Sequence, residues 1–241
     1  MDESSKLGMN RTGAQMAPIN TRSMREAADR IGAEPARGET MGAAAVRGAY
    51  VAESGTVGSV PVPGTVTGMV KTGMQKLMGR APEAFVDKLG ERLAYERTGV
   101  RLYEALMAKC QALQGTDNAL PLDELRVHRD DEARHFKLLE RCIEQLGADP
   151  TAQTPCADVI ATSSLGVLQV VSDPRTTIPQ ALNAMLTAEL TDTAGWELLI
   201  KLAREHGQDD MAQEFERALQ QERHHASEVQ RWLEVQVLEP A

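Results

Sequence analysis

Two short stretches decide how this chain folds: Asp130-Asp131-Glu132-Ala133-Arg134-His135 and Gln221-Glu222-Arg223-His224-His225. Each contains a glutamate that is followed three residues later by a histidine. Residues three apart lie on one face of an α-helix, so each pair can direct a carboxylate and an imidazole toward one point. Both pairs interrupt helical faces that are otherwise apolar, which predicts that these polar groups face the protein interior.

Two further glutamates, Glu96 and Glu189, lie in the middle of two other stretches with helical periodicity. Glu132 follows Glu96 by 36 residues, and Glu222 follows Glu189 by 33. The two halves therefore repeat one pattern, a helical hairpin with a glutamate on its first arm and Glu-x-x-His on its second. The apolar periodicity and the Pro and Gly signals predict four long helices, at Pro82–Leu113, Pro121–Leu146, Pro179–Arg204 and Asp209–Val235.

A long connection, residues 148–176, separates the two hairpins. A short loop places neighbouring helices antiparallel, whereas a connection of this length lets the second and third helices run parallel. Its apolar part, Val159–Val171, is predicted to form a short helix or a covering segment. The predicted fold is therefore all-α, a four-helix bundle over residues 81–236 with one long crossover connection.

The first 80 residues differ in composition from the rest of the chain. They hold 12 of the 19 glycines and 8 of the 11 methionines. Such a segment buries too little apolar surface to offset its ordering entropy, which predicts a flexible, largely disordered Gly/Met-rich leader at 1–80. Local exceptions are a short helix at Thr21–Ile31 and an apolar face at Met69–Met78. The alternative interpretation is a docking arm, because Met-rich faces adapt to many surfaces.

The charge and cysteine content excludes several classes of protein. The chain has a net charge of −9, and residues 81–241 carry 16 Lys and Arg against 28 Asp and Glu. An acidic domain lacks the basic face that nucleic-acid binding needs. Its three cysteines have no C-x-x-C spacing, which argues against a disulfide framework or a zinc site. No signal peptide and no membrane span are visible, which predicts a cytoplasmic protein without a membrane partner.

Carboxylates and imidazoles together suit iron and manganese, whereas oxygen ligands alone favour calcium. Two divalent ions would neutralise four glutamates, and the same carboxylates buried without cations would repel one another. The sequence therefore predicts a site for two iron ions, or two manganese ions, with no catalytic residue beyond the ligands. The predicted ligands are Glu96, Glu132, His135, Glu189, Glu222 and His225.

This chain resembles the ferritin-like superfamily, most of all its rubrerythrin and ferritin-like-domain branches. The pattern that carries the resemblance is Tyr95-Glu96-Arg97, Glu132-Ala133-Arg134-His135, Glu189 and Glu222-Arg223-His224-His225. The resemblance covers residues 82–236. It implies a di-iron or di-manganese carboxylate protein that reacts with O₂ or H₂O₂. It also implies that Glu132 and Glu222 bridge the two ions, and that His135 and His225 each bind one.

Several alternatives stay open at the level of sequence. Rubrerythrin-type peroxidases carry a Cys-rich electron-delivery module that this chain lacks, so an external redox partner is expected. The second class of function is a structural or interaction protein, with a ferritin-like scaffold and a partner-binding N-terminal arm. A homo-oligomer is compatible with either class. Asp192 is left open as an extra ligand or a support for an imidazole. His128 is left open as an extra ligand or a helix-face histidine with a water or carboxylate partner, and His224 as a weaker ligand candidate than His225. Tyr95 and Tyr103 are left open as packing residues or neighbours of the site.

Overall fold

A computed structural model describes residues 18–31, 37–61, 82–112 and 120–238. Over these residues every regular element is a helix, which confirms the predicted all-α class. The chain divides into two compact units, Met1–Thr56 and Val57–Ala241. The described helices are α1 (Pro18–Ile31), α2 (Arg37–Glu53), α3 (Pro82–Ala112), α4 (Leu122–Gln145), α5 (Pro155–Ser172), α6 (Ile178–Glu205) and α7 (Asp209–Leu238).

The first unit contains α1 and α2. The predicted helix at Thr21–Ile31 lies within α1. Helix α2 was not predicted, and it differs from the disordered leader that the composition indicates. Its central run of alanines explains the difference, because alanine has the highest intrinsic helix propensity. The apolar stretch Met69–Met78 lies outside the described residues.

The four long helices of the second unit begin and end within three residues of their predicted bounds. The polypeptide turns after α4 at Gly147 and after α6 at Gly207, whose φ angles are 82° and 68°. Glycine adopts this left-handed backbone without the steric cost that a β-carbon brings, which explains the clean helix ends. At the start of α6, Thr177 and Gln180 form a reciprocal capping box.

Side-chain contacts define the directions of these helices. Helix α5 lies along α3 in the same direction, because Thr154 and Cys156 contact Asp87 at one end. At the other end, Lys109 donates hydrogen bonds to the main-chain carbonyls of Asp173 and Thr176. The connection therefore carries the chain from the N-terminal end of α3 to its C-terminal end, so that α4 and α6 run parallel to each other.

Two apolar clusters occupy the interior of the second unit. One contains Trp196 and Phe215, and the other contains Tyr103 and Trp232. Along α3, Leu93 belongs to the first cluster and Leu102 to the second. Glu96 lies between them, so the polar residues of the predicted site separate the two apolar clusters.

Among the described helices, α5 is long and apolar enough to cross a membrane by length and composition. It packs against α3 and α6. Its exposed side retains apolar residues such as Val159 and Leu165.

Candidate metal centre

The structure brings all six predicted ligand residues together in the interior, and none of them is more than 3% exposed. Glu96 comes from α3, Glu132 and His135 from α4, Glu189 from α6, and Glu222 and His225 from α7. Their donor atoms form groups that could hold metal ions, in each of which the atoms lie within 4.8 Å of one another. These groups are Glu132, Glu189, Glu222 and His225; Glu96, His135 and Glu222; and Glu96, Glu132, Asp192 and Glu222.

The strongest evidence for a cation is the set of buried donor atoms that lack hydrogen-bond partners. Both oxygens of Glu96 and of Glu222, and Nδ1 of His135 and of His225, make no hydrogen bond of good geometry. They instead contact one another, with His135 Nδ1 2.6 Å from Glu222 Oε1 and His225 Nδ1 3.3 Å from Glu222 Oε2. Buried polar atoms in folded proteins are almost always hydrogen-bonded, so a concentration of exceptions needs an explanation. Carboxylate oxygens and ring nitrogens that converge on one volume are the donors that a metal ion requires once the rings lose their Nδ1 protons, so these residues fit such an ion.

The two histidines are oriented by groups on their outer side. The Nε2 atom of His135 lies 3.0 Å from Oε1 of Gln221, and the Nε2 atom of His225 lies 3.4 Å from Oδ2 of Asp131. Gln221 also donates a 2.5 Å hydrogen bond to Oδ1 of Asp131, so one chain of contacts supports both rings. An outer partner that accepts the Nε2 proton leaves Nδ1 free to bind a metal ion.

Asp192, left open by the sequence, does not support an imidazole. Its Oδ1 accepts a 2.7 Å hydrogen bond from Nη1 of Arg92, a buried arginine that the sequence analysis did not single out. Asp192 also supplies a donor atom to the all-carboxylate group. The role of holding the imidazoles belongs to Asp131 and Gln221, each of which immediately precedes a Glu-x-x-His glutamate.

Two other residues of α3 shape the site. Tyr103, which the sequence left open as a packing residue or a neighbour of the site, donates a 2.7 Å hydrogen bond to Oε1 of Glu189 and leaves Oε2 of that glutamate without a hydrogen bond. Tyr95 instead donates to the main-chain oxygen of Ala188. Gly99 lies where a β-carbon would overlap the carboxylate of Glu132, so glycine allows this carboxylate to approach α3 closely.

The pKa values of the metal-free cluster show how it balances its charge. Burial opposes charging of His135, but its contacts with Glu222 and Glu96 outweigh burial and raise its pKa to about 11. Burial raises the pKa of Glu189 to about 8, and the neighbouring Glu222 adds to this rise. Glu222 has its pKa lowered to about 2, because contacts with both histidines outweigh its burial. Without metal, protons on the imidazoles therefore supply part of the positive charge that the carboxylates need.

His128 and His224 belong to none of the donor groups. His128 is 2% exposed, its ring lies tilted against that of His225 with centroids 4.2 Å apart, and it stacks on Trp232 at 5.4 Å. Burial and the neighbouring histidines lower the pKa of His128 to about 3, so it is a neutral packing residue. His224 is exposed, which agrees with the three-residue spacing that selects His225 instead.

The fold and this site define the class of protein, an all-helical protein with a buried glutamate and histidine cluster that could hold metal. Residues 80–241 match the family described as "Domain of unknown function (DUF892)". This match covers more than half of the chain, and the chain belongs to that family. No match was found among curated proteins or among solved structures.

Proposed function

We propose that the chain is a ferritin-like protein whose helices α3, α4, α6 and α7 form a four-helix bundle around two iron or manganese ions. Its proposed activity is ferroxidase- or peroxidase-like, toward O₂ or H₂O₂. The observation that carries this proposal is the convergence of buried carboxylate oxygens and imidazole Nδ1 atoms from four helices, none of which makes a hydrogen bond of good geometry.

The donor groups indicate which residues would hold each ion. Glu132, Glu189, Glu222 and His225 would hold one, and Glu96, His135 and Glu222 would hold the other. Glu222 belongs to every group, which supports its proposed role as a bridging ligand. When bound, two redox-active ions supply the two electrons that reduce H₂O₂ or begin the reduction of O₂.

The surrounding residues keep the site dry and its donors in place. The apolar clusters around Trp196 and Tyr103 close the two ends of the site and exclude bulk water. Low local polarity strengthens the attraction between carboxylates and cations. Asp131 and Gln221 hold the imidazoles, and the Tyr103 hydroxyl holds one oxygen of Glu189. These supports reduce the reorganisation that ion binding requires.

An anaerobic titration of the metal-free protein with Fe²⁺, followed by separate exposure to O₂ and to H₂O₂, tests the proposal. We expect two ions per chain and rapid oxidation of the bound iron by at least one oxidant. Glu222→Gln should abolish this binding because Glu222 contributes to every donor group, whereas Glu234→Gln, an exposed change on the same helix, should not. Failure of the wild-type chain to bind Fe²⁺ or Mn²⁺ would refute the proposal.

Because the proposed substrates are O₂ and H₂O₂, we propose a cellular role in oxidative stress or iron handling. The three cysteines of this sequence have no C-x-x-C spacing that would suit an electron-delivery module, and a redox partner is part of the proposal. We also propose that the protein acts in the cytoplasm. Evolution of O₂ from H₂O₂ without added reductant would indicate a catalase-like reaction instead.

The second candidate is an interaction protein in which the N-terminal unit binds a partner. It is favoured by large apolar side chains on α1 and α2 that are mostly exposed, among them Ile19, Met24, Tyr50 and Val51, at 69–79%. Substituting Tyr50 and Val51 by serine in the full chain tests this candidate. Loss of partner binding with unchanged metal uptake would support it, whereas loss of neither would count against it.

A further inference from the structure

Arg92 is a buried arginine whose charge lies beside the proposed metal centre. Its side chain is 2% exposed, and Nη1 donates to Oδ1 of Asp192 at 2.7 Å and to the Asp192 main-chain oxygen at 3.1 Å. Its Nε has no hydrogen-bond partner and lies 3.8 Å from Oε1 of Glu96. Burying a guanidinium is costly unless it is paired, so its presence here calls for a specific role.

The repeated halves of the chain show that Arg92 breaks their symmetry. Arg92 lies four residues before Glu96, and the residue four before Glu189 is the buried Met185. Asp192 lies three residues after Glu189, and the residue three after Glu96 is Gly99. The arginine and the aspartate therefore occupy positions for which the opposite half has no charged counterpart.

The same asymmetry appears in the donor groups. The group that contains His225 has four members, whereas the group that contains His135 has three. Asp192 has a carboxylate oxygen within 4.8 Å of donor atoms of Glu96 and Glu222, which are both members of the smaller group. A fourth donor for the smaller group is thus nearby, but it is bound to Arg92.

We propose that Arg92 withholds Asp192 from bound metal and thereby makes the ion position at Glu96 and His135 the weaker of the two. This inference rests on the proposed function, because it requires a centre that binds two ions. Arg92 is a positioning residue, since it acts through Asp192 and does not itself contact an ion.

The charges predict the direction in which each variant should change the affinity for the second cation. Without Arg92, Asp192 adds an unpaired negative charge next to Glu96 and attracts the second cation. Without Asp192, the guanidinium remains unpaired beside Glu96 and repels that cation. Removing both charges leaves the net charge near Glu96 unchanged, so the two effects should cancel.

The experiment is an anaerobic titration of the full-length, metal-free protein with Co²⁺ alone, monitored by calorimetry and by visible absorption. Wild type should show two steps of unequal affinity. Glu189→Gln should remove the tighter step, and Glu96→Gln the weaker one. Arg92→Met, which installs the residue of the opposite half, should tighten the weaker step by about tenfold, and Asp192→Asn should weaken it by about tenfold. The double variant should lie within about threefold of wild type.

The tighter step, at His225, reports on folding in the Arg92, Asp192 and Gly195 variants and should stay unchanged in them. Gly195→Ala provides a second route, because a β-carbon there would overlap the guanidinium of Arg92 while the charge is retained. Gly195→Ala should raise the Co²⁺ affinity of the weaker step, as Arg92→Met should. It therefore tests the proposal even if Arg92→Met fails to fold. Unchanged weaker-step affinity in folded Arg92→Met or Gly195→Ala would overturn this inference. Absence of Co²⁺ binding in wild type would instead overturn the proposed function on which it rests.

Discussion

A side chain on Gly99 would overlap the carboxylate of Glu132, so α3 carries a glycine where α4 directs that carboxylate into the site. Glycine inside a helix is less favourable than alanine by about 1 kcal/mol. Gly99 is buried in the middle of α3, so its unfavourable helix propensity indicates that the missing side chain leaves room for the Glu132 carboxylate. This relationship leads to the first of four predictions.

Gly99→Ala should leave the fold intact and lower the affinity for metal. The overlapping atoms are the far end of a flexible side chain, so Glu132 can rotate away from its position among the donors. We expect the affinity for Co²⁺ to fall by about tenfold or more, as for other changes that misplace a metal ligand. Calorimetric titration and thermal unfolding measure the two effects.

Gly166→Ala is the matched control for that variant. Gly166 lies in α5, and a β-carbon there would meet nothing within 4 Å. It should raise stability by up to about 1 kcal/mol through helix propensity and leave metal affinity unchanged. Equal metal affinities in the two variants would show that Gly99 has no role in positioning Glu132.

Gln221→Leu should weaken metal binding without removing any predicted ligand. Gln221 links His135 to Asp131, so its loss frees both the ring and the carboxylate. Removal of such an outer partner costs about 10- to 100-fold in metal affinity. The exposed neighbour Gln220 provides the control, and Gln220→Leu should bind Co²⁺ like wild type. A wild-type affinity in Gln221→Leu would contradict the proposed support of both imidazoles.

Metal binding should release protons near neutral pH. Contacts with Glu222 and Glu96, acting against burial, raise the pKa of His135 to about 11, and contacts with Asp131, Glu132 and Glu222 also raise the pKa of His225 despite its burial. Both rings must lose a proton before Nδ1 can bind a metal ion, and so must Glu189, whose pKa is raised to about 8, so about three protons should leave as two ions bind. Calorimetry at pH 7 in buffers of different ionisation enthalpy measures this release. A binding enthalpy that does not vary between buffers would contradict it.

The stability of the metal-free protein should fall as the pH rises above about 6.5. The raised pKa of His135 contributes stability that is complete below the unfolded value of 6.5 and is lost as the pH approaches about 11. Glu222 acts in the opposite sense, because its lowered pKa contributes stability that is lost as the pH falls from 4.5 toward 2. Denaturant unfolding between pH 5 and 10 measures the trend. Stability that increases over this range would contradict the assigned charges.

Periodicity and spacing predicted much of this fold because helices follow local rules. The four long helices lie within three residues of their predicted bounds, and all six predicted ligand residues are buried together. Helix α2 was missed because a segment rich in glycine and alanine carries two opposing propensities. The leader's remaining segments, including Met69–Met78, stay as predictions.

Other residues of the site could not be identified from periodicity. Arg92 is one of many arginines on helices, and only the position of Asp192 one hundred residues later shows that it is paired. Gln221 and Asp131 do carry a weak signal, since each directly precedes a Glu-x-x-His glutamate. Gly99 carries a sequence signal only in retrospect, because it is a glycine within a long helix.

The sequence by itself determined which residues face the interior, because the helical period of 3.6 residues places Glu96, Glu189 and the two Glu-x-x-His pairs on buried faces. Tertiary structure alone decided how these faces meet: which carboxylate lies against Gly99, which imidazole contacts Gln221, and which aspartate is bound to Arg92. The physical reason is that periodicity acts within one helix, whereas the distances between helices depend on the packing of side chains far apart in the chain.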